Sequence, residues 1–441
     1  MIQLKEMKIS FKFYKMTDNL SVRKGVKQME GMKQKSNFGK FIFLWSGELI
    51  SAIGGGLTSF GLGVYVFNET GSATNMAIVT LLAFLPTLLL SAPAGVLADR
   101  YDRRLLMMLG DGLSALGVIY ILICMLTGGA SLVQICIGVF ISSVFSSLIE
   151  PAYRATVTDL LTEEEYSKAS GMVSIAGSAR YLASPLIAGL LLAVSDIKLL
   201  MIIDICTFFF TVVCTGIVRR GLVTKANENT DSFKESFKEG YVAIKEKKGV
   251  MTLIVISSVI TLFMGAIQLL SEPLILDFTD STALGIGETV CALGMLVSSI
   301  FLGIFGIKKY YGKVLCASLG MAGLFMVGFS LVENMIVISS FGFMFFFMLP
   351  FANNCLDYLV RINIAAEKQG RAWGLIGFIS QFGYVISYGC FGIISDGIAK
   401  WTGIGVGRGC AVVIAISGVL LAVTSIALYM VKDVRSLENL E

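Results

Sequence analysis

The chain of 441 residues is 55% hydrophobic and only 15% charged, with a formal net charge of +4 and a mean hydropathy of +0.80. A soluble core cannot hide so much apolar surface, so the composition excludes an ordinary soluble protein and predicts an integral membrane protein. Histidine is absent, so any proton transfer near neutral pH must use carboxylates.

Residues 1–40 carry ten lysines or arginines. They contain no apolar run of the kind that follows the charged start of a signal peptide. We expect a basic cytoplasmic extension, either disordered or in contact with anionic lipid headgroups.

Twelve apolar stretches follow, each long enough to cross a bilayer. The predicted fold is all-α, with twelve transmembrane helices in two pseudo-symmetric bundles of six. The predicted spans lie near residues 41–67, 75–98, 104–126, 131–153, 168–194, 199–218, 250–276, 283–307, 313–331, 335–362, 372–397 and 403–431. The nine cysteines all fall within these spans and form no CxxC pair, so we expect reduced thiols that pack as small apolar residues.

The basic residues are distributed unevenly between the two sides of these spans. With the N-terminus inside, the cytoplasmic segments hold 31 of the 35 lysines and arginines, while the outer loops hold Lys198, Lys400 and Arg408. This asymmetry predicts that both termini are cytoplasmic. It also explains the net positive charge without a nucleic-acid partner.

A charged link at residues 219–249 divides the chain into six spans and six. Phe233, Phe237 and Tyr241 recur there every four residues, which predicts an amphipathic helix at the cytoplasmic face. The predicted organisation is therefore an extension at 1–40, a bundle at 41–218, the linker at 219–249, a second bundle at 250–432 and a tail at 433–441.

The two bundles resemble each other in sequence, as in duplicated transporter folds. Residues 95–100 align with residues 303–308 at an offset of 208, although Ile307 stands in the place of Asp99. Spans 5 and 11 align at an offset of 203, which pairs Gly171, Tyr181, Ser184 and Gly189 with Gly374, Tyr384, Ser387 and Gly392.

The link between spans 2 and 3 is short and highly charged. It contains Gly95, Asp99, Arg100, Arg103 and Arg104 in the pattern GxxxDRxxRR. Together with the twelve spans and the six-plus-six division, this pattern resembles the signature loop of the major facilitator superfamily. The stretches at residues 68–73 and 84–86, and residues 95–104 together with Asp111, are most similar to the macrolide-efflux branch of that family.

The resemblance implies a gating role for this loop. In the family the motif aspartate, here Asp99, faces the N-terminal end of helix 11, near residues 370–374. A helix N-terminus favours a nearby carboxylate, and this contact would hold the inner gate shut in the outward-open state. The resemblance also implies that Arg103 or Arg104 pairs with an acid near the end of helix 4, and the sequence leaves both Glu150 and Asp159 open.

Span 5 resembles the antiporter motif of spaced glycines before a proline. Gly171, Pro185 and Gly189 stand at the expected positions, where they would allow close packing and bend the helix. Ser184 and Ala188 replace glycines of the motif and Arg180 occupies another glycine position, so this chain departs from the motif there.

Ionisable residues within spans are costly and mark candidate functional positions. We expect proton-coupling or substrate roles from a set of five residues: Glu48, Asp111, Arg180, Asp204 and Glu272. Arg180 has three open interpretations: an anchor for a substrate carboxylate or phosphate, a charge that tunes a proton-carrying acid, or a permanent salt bridge. For Asp111 and Glu150, a structural role in the inner charge cluster is an alternative.

The sequence contains no phosphate-binding GxxxxGK[ST] loop, no His/Cys metal cluster and no recognisable nucleophile and base, so we expect neither an enzyme nor a cofactor. The main hypothesis is a monomeric exporter of small amphiphilic, macrolide-like compounds in a bacterial inner membrane, driven by a proton gradient through alternating access. The alternatives are an exporter or flippase of an endogenous anionic amphiphile, such as a siderophore or lysophospholipid, and a non-transporting sensor or scaffold.

Overall fold

The computed structural model describes residues 36–220, 244, 248–364 and 369–431. Most of the predicted basic extension, the predicted amphipathic helix of the linker and the predicted C-terminal tail lie outside these residues. The described residues contain helices and no β-strand.

The first half contains seven helices that form six membrane spans. The fourth span is divided by one turn at residues 147–148, so that α4 and α5 share it. The helices are α1 (Phe38–Thr70), α2 (Ala73–Arg100), α3 (Arg103–Leu126), α4 (Leu132–Ser146), α5 (Ile149–Leu160), α6 (Tyr166–Val194) and α7 (Ile197–Arg219).

The second half repeats this arrangement. Here the eleventh span is divided at Gln381 into α12 and α13. The helices are α8 (Lys248–Leu276), α9 (Ser281–Phe305), α10 (Tyr311–Ser330), α11 (Met335–Asn363), α12 (Gln369–Ser380), α13 (Phe382–Thr402) and α14 (Val406–Met430).

Twelve helical stretches of the described residues are long and apolar enough to cross a membrane, which confirms the predicted fold. Polar N-cap residues mark the starts of several of these helices. Ser72 accepts a hydrogen bond from the Asn75 amide at the start of α2, and Ser131 forms a capping box with Gln134 at the start of α4. Because these hairpins are tight, successive spans run in opposite directions.

The internal repeat extends to the positions where helices begin. α2 and α9 begin at Ala73 and Ser281, and α3 and α10 begin at Arg103 and Tyr311. Both pairs keep the offset of 208 residues seen in the sequence, so the charged link after α2 and the link after α9 are equivalent turns.

We call the end of the bundle that carries Arg100, Arg103 and Arg219 the basic face, and the opposite end the far face. The hydrogen bonds and ring contacts that join described residues of the two halves lie in the part next to the far face. There α6 packs against α9, and α2 packs against α13.

Two glycines at equivalent positions of the repeat allow these helix pairs to pack closely. A Cβ on Gly189 would lie 2.6 Å from the Ser281 carbonyl oxygen, and one on Gly392 would lie 2.7 Å from the Ala73 carbonyl oxygen. Toward the basic face, Ser170, Ser174 and Ser178 of α6 are exposed. We interpret this arrangement as a central cleft between the halves that is closed at the far face and open toward the basic face.

Candidate functional site

A charge cluster at the basic face joins the start of α3 to the end of α5. Arg103 Nη1 lies 2.6 Å from Asp159 Oδ1, and Arg104 Nη2 lies 3.1 Å from Asp159 Oδ2. Arg103 also donates to the Ala155 and Ala98 carbonyl oxygens. The Arg104 side chain is only 3% exposed, so its charge depends on Asp159 for compensation.

The structure decides the question that the sequence left open, because both arginines pair with Asp159. Glu150, the other candidate partner and gating residue, does not pair with these arginines and instead lies 2.5 Å from Arg154 on the same helix. The reason is the position of Glu150 along the fourth span. Nine residues of helix, or about 13 Å, separate Glu150 from Asp159, and only Asp159 is level with the first turn of α3.

Asp102 is a second member of the cluster. Its carboxylate accepts from the Arg104 amide at the start of α3 and lies 2.7 Å from Arg219 Nε at the end of α7. Burial by itself would raise the pKa of Asp102, but the hydrogen bonds from Arg219 and the Arg104 amide outweigh it, and the pKa is lowered from its usual value. Asp102 thus joins the turn after α2 and the start of α3 to the end of α7.

The other motif residues lie at the surface of the basic face. Asp99 is half-exposed and its carboxylate is 3.8 Å from Arg103 Nη2 in its own half, while Arg100 is exposed. Gly95 is partly buried, and a Cβ there would contact nothing within 4 Å. In this open arrangement the described contacts of Asp99 do not include the N-terminal end of α12.

Two of the predicted carboxylates are deeply buried in the first half. Asp111 on α3 and Asp204 on α7 are each 1% exposed. Both oxygens of Asp111 and Oδ1 of Asp204 have no hydrogen-bond partner among the described residues. The two side chains are close enough for their charges to interact. Since a buried carboxylate anion without a partner is very costly, this pair is suited to holding a proton.

Glu48 belongs to the same buried group. It lies on α1, is mostly buried, and has an unpartnered Oε1 among the described residues. Its charge interacts with Asp111 on one side and with the exposed Glu150 on the other. The buried Tyr153 hydroxyl, also unpartnered within the described chain, is near Glu48 and Glu150.

Arg180 is exposed on α6 at the wall of the central cleft. It forms no ion pair within 4 Å with a described acid, so the permanent salt bridge is not seen here. Its stem lies beside Gly56, where a Cβ would be 3.2 Å from Arg180 Cγ, and its charge is close enough to interact with Asp204. A Cβ on Gly54 would lie 3.0 Å from Asp204 Oδ1. The glycines of α1 therefore let an arginine and an acid approach from different helices.

Glu272 lies apart from this group, near the far face. Its Oε2 is buried and unpartnered among the described atoms, and it fills the space beside Gly63 of α1, where a Cβ would overlap it. Its charge interacts with that of Glu288 on α9. Glu272 is thus covered where the two halves meet.

The three motif residues of α6 have different environments. Gly189 packs tightly against α9, and the carbonyl group of Pro185, inside the same helix, lies against Gly285 of α9. Gly171 is exposed, and a Cβ there would meet nothing within 4 Å. The expected packing role of Gly171 is therefore not observed, because this part of α6 faces the open cleft.

Aromatic side chains from both halves meet at the closed end of the cleft, next to the far face. The ring of Phe84 on α2 lies 5.6 Å from that of Tyr384 and 5.7 Å from that of Tyr388 on α13. The Tyr388 hydroxyl lies 3.2 Å from Gln268 Oε1 on α8, and Tyr181 is exposed nearby. A ligand in the cleft would meet ring faces and hydroxyl groups here.

The described residues contain no group of three or more Cys, Asp or Glu side chains that could hold a metal ion. The nine cysteines are all free thiols, of which Cys206 and Cys390 are exposed.

Sequence reasoning missed Asp396 of α13, which binds the start of α2. It also missed the Asp102–Arg219 pair and the glycines of α1. The run Gly54-Gly55-Gly56 was a visible signal of close helix packing. An acid near the end of a span gives no comparable signal, because such residues are common at membrane surfaces.

Two related sets of six spans around a cleft, with buried acids behind its wall and an exposed arginine and aromatic rings beside it, have the architecture of a polytopic membrane transporter. Residues 44–388 match the Major Facilitator Superfamily, and the chain belongs to this family.

The chain is 26% identical over 415 residues to Macrolide efflux protein A of Streptococcus pyogenes, covering 90% of this chain and 97% of that protein. It is 27% identical over 323 residues to Macrolide efflux protein A of Enterococcus faecalis, covering 70% and 97%. Among solved structures, a bacterial homologue of the iron transporter ferroportin in its inward-facing state superposes with a TM-score of 0.70 at 14% identity, covering 90% of this chain and 100% of that one. The two efflux proteins indicate the macrolide-efflux branch, and the solved structure shows the shared fold.

Proposed function

We propose that this transporter exports macrolide-like amphiphilic compounds across the plasma membrane in exchange for protons. The substrate class is supported by the similarity to the two macrolide efflux proteins. A cleft that combines aromatic rings with a few polar groups is also suited to large amphiphiles. We further propose that the chain functions as a monomer.

Proton coupling is supported by one observation above the others, the burial of Asp111 and Asp204 within electrostatic reach of each other and without basic hydrogen-bond partners. Two buried carboxylates whose charges repel each other are costly to ionise together, so we propose that the pair binds at least one proton. With no histidine in the chain, carboxylates are the groups available for this step.

The orientation follows from the basic residues, and we assign the basic face to the cytoplasm. The cleft then opens inward, and substrate enters it from the cytoplasm or the inner leaflet. In the opposite state the far face opens and the cluster of Arg103, Arg104, Asp102 and Asp159 stays within the first half, which moves as a unit. Rocking of the halves about the cleft gives alternating access.

Arg180 connects the two ligands in this mechanism. Its guanidinium is exposed to the cleft, while its charge stabilises the Asp204 anion. A substrate that packs against Arg180 and moves its guanidinium closer to Asp204 strengthens this stabilisation, so that Asp204 releases its proton as the substrate binds. Binding of substrate and of proton is therefore coupled through one side chain.

The test is macrolide accumulation by proteoliposomes, with an imposed pH gradient as the sole driving force. We expect the wild-type chain to accumulate macrolide in vesicles of inverted orientation whose interior is acidic, and Asp204→Asn to lose gradient-driven accumulation while retaining counterflow. Glu150→Gln is the matched control, because Glu150 is exposed, and it should keep most of the activity. Equal gradient-driven accumulation by wild type and Asp204→Asn would refute the proposed coupling.

A second substrate class is favoured by the exposed Arg180, which has no described acid within 4 Å. An anionic amphiphile could place its carboxylate or phosphate on this guanidinium. The same vesicles separate the two classes. If Arg180→Ala abolishes transport of an anionic amphiphile and wild type transports no macrolide, the anionic class replaces our first proposal.

A further inference from the structure

Asp396 of α13 lies at the far face, on the opposite half of the protein from the helix that it contacts. Its Oδ2 accepts from the Ser72 hydroxyl at 2.6 Å and from the Thr74 amide at 3.0 Å, and its Oδ1 accepts from the Ala73 amide at 3.1 Å. The residue is only 8% exposed. One carboxylate of the second half thus binds three donors at the N-terminus of α2 in the first half.

The physical chemistry makes this contact strong and directional. The first amides of a helix have no acceptor within the helix, and the helix dipole places partial positive charge at the same end. Hydrogen bonds to an ionised acceptor are about twice as strong as neutral ones. Gly392, one turn before Asp396, brings the two backbones close enough for all three bonds to form.

The equivalent contact between α6 and α9 lacks this carboxylate. There Thr282 Oγ1 donates to the Gly189 carbonyl oxygen at 3.2 Å, a bond between neutral groups. Position 193, which the offset of 203 pairs with Asp396, is an exposed alanine. The charged contact is therefore present on one side of the pseudo-symmetric interface, and it breaks whenever α13 moves away from α2.

We propose that Asp396 is the outer gate residue of the transport cycle: its hydrogen bonds to Ser72, Ala73 and Thr74 hold the far face closed and must break for the outward-open state to form. The inference rests on the proposed function, because it requires alternating access, and it names the side chain that holds the outer gate closed. It requires neither proton coupling nor a particular substrate.

The distance between the two halves at the far face measures the state of this gate. Ser195 of the first half and Thr402 of the second half are exposed positions for nitroxide labels. They lie at the ends of α6 and α13 at the far face. The background replaces the accessible Cys136, Cys206 and Cys390 with serine, and distances are measured by double electron–electron resonance in nanodiscs at pH 7 without substrate.

We expect wild type to give mainly the short distance, and Asp396→Asn to raise the ratio of the long to the short population by about tenfold, as loss of hydrogen bonds to a charged group should. Asp280→Asn is the matched control. Asp280 also caps a helix at the far face, but it bonds to Ala283 of its own half at 2.8 Å. This control should leave the distances unchanged.

Ser72→Asp supplies an independent variant, since aspartate keeps the N-cap function while it repels Asp396. It should raise the long-distance population, and Asp396→Asn added to it should reduce that rise. Unchanged distances in Asp396→Asn, or an equal shift in Asp280→Asn, would overturn the proposal. If Asp396→Asn is not monodisperse on gel filtration, Ser72→Asp decides alone, and unchanged distances in that variant overturn it. A negative result leaves the export and proton-coupling experiments untouched, because those measure flux and not the position of the far face.

Discussion

Arg104 is a buried cation whose guanidinium pairs with Asp159, and this makes Asp159 the most sensitive residue of the basic-face cluster. Removing one partner of a buried pair leaves an uncompensated charge, which costs about 3–5 kcal/mol. Asp159 is 36% exposed, so water compensates part of the loss. We expect Asp159→Ala to destabilise the protein by about 3 kcal/mol, measured by thermal unfolding in detergent.

Glu150→Ala is the natural comparison for that variant. Glu150 and Arg154 are 67% and 72% exposed, and surface pairs contribute roughly 0–1 kcal/mol. Its melting temperature should stay close to that of wild type. Equal destabilisation by the two variants would contradict the assignment of Asp159 as the partner of the arginines.

Asp102 gives a pH-dependent prediction. Its pKa in the folded protein lies below the ordinary 3.8, so its contribution to stability is present above pH 3.8 and is lost as the pH falls through the folded value. Asp102→Asn keeps a capping side chain and removes the charge. The variant should melt below wild type at pH 7, and the difference should shrink below pH 3.8. A difference that is the same at both pH values would exclude the charge as its cause.

At the scale of helices, Gly189 and Gly171 form a matched pair within α6. A Cβ on Gly189 would lie 2.6 Å from the Ser281 carbonyl oxygen, whereas one on Gly171 would meet nothing within 4 Å. Gly189→Ala should therefore separate α6 from α9 at the far face and lower transport by about tenfold, if the strain reaches about 1.4 kcal/mol. Gly171→Ala should stay within twofold of wild type in the same vesicle assay. Equal transport by both variants would show that the α6–α9 contact does not limit the cycle.

The spans were predictable from sequence because a membrane imposes length and hydropathy on every crossing helix. The breaks at residues 147–148 and at Gln381 were not, since they interrupt hydrogen bonding without interrupting the apolar run. The choice between Glu150 and Asp159 depended on depth within the fourth span. Sequence spacing alone could not supply it, because both acids lie near the predicted end of that span.

At the scale of the whole molecule, contacts between the halves were the least predictable feature. Asp396 binds backbone amides, and the sequence does not show which backbone amides are free to donate to a side chain.

Contacts between helices of the same half were also hard to predict. The approach of Arg180 to Asp204 depends on glycines of a third helix. Individual charged residues within spans could be found by their cost in lipid, but their partners required the packing of α1, α6 and α7.

The central claim is that substrate binding and proton binding are coupled through the buried acids of the first half. It can be tested without vesicles, by measuring proton release when a macrolide is added to purified protein in weakly buffered solution near pH 7. We predict release of up to about one proton per transporter for wild type, because substrate binding displaces a proton held by the two buried carboxylates. The double variant Asp111→Asn and Asp204→Asn should bind macrolide without releasing a proton. Saturable macrolide binding by wild type with no proton release, or with release that persists in the double variant, would contradict the account.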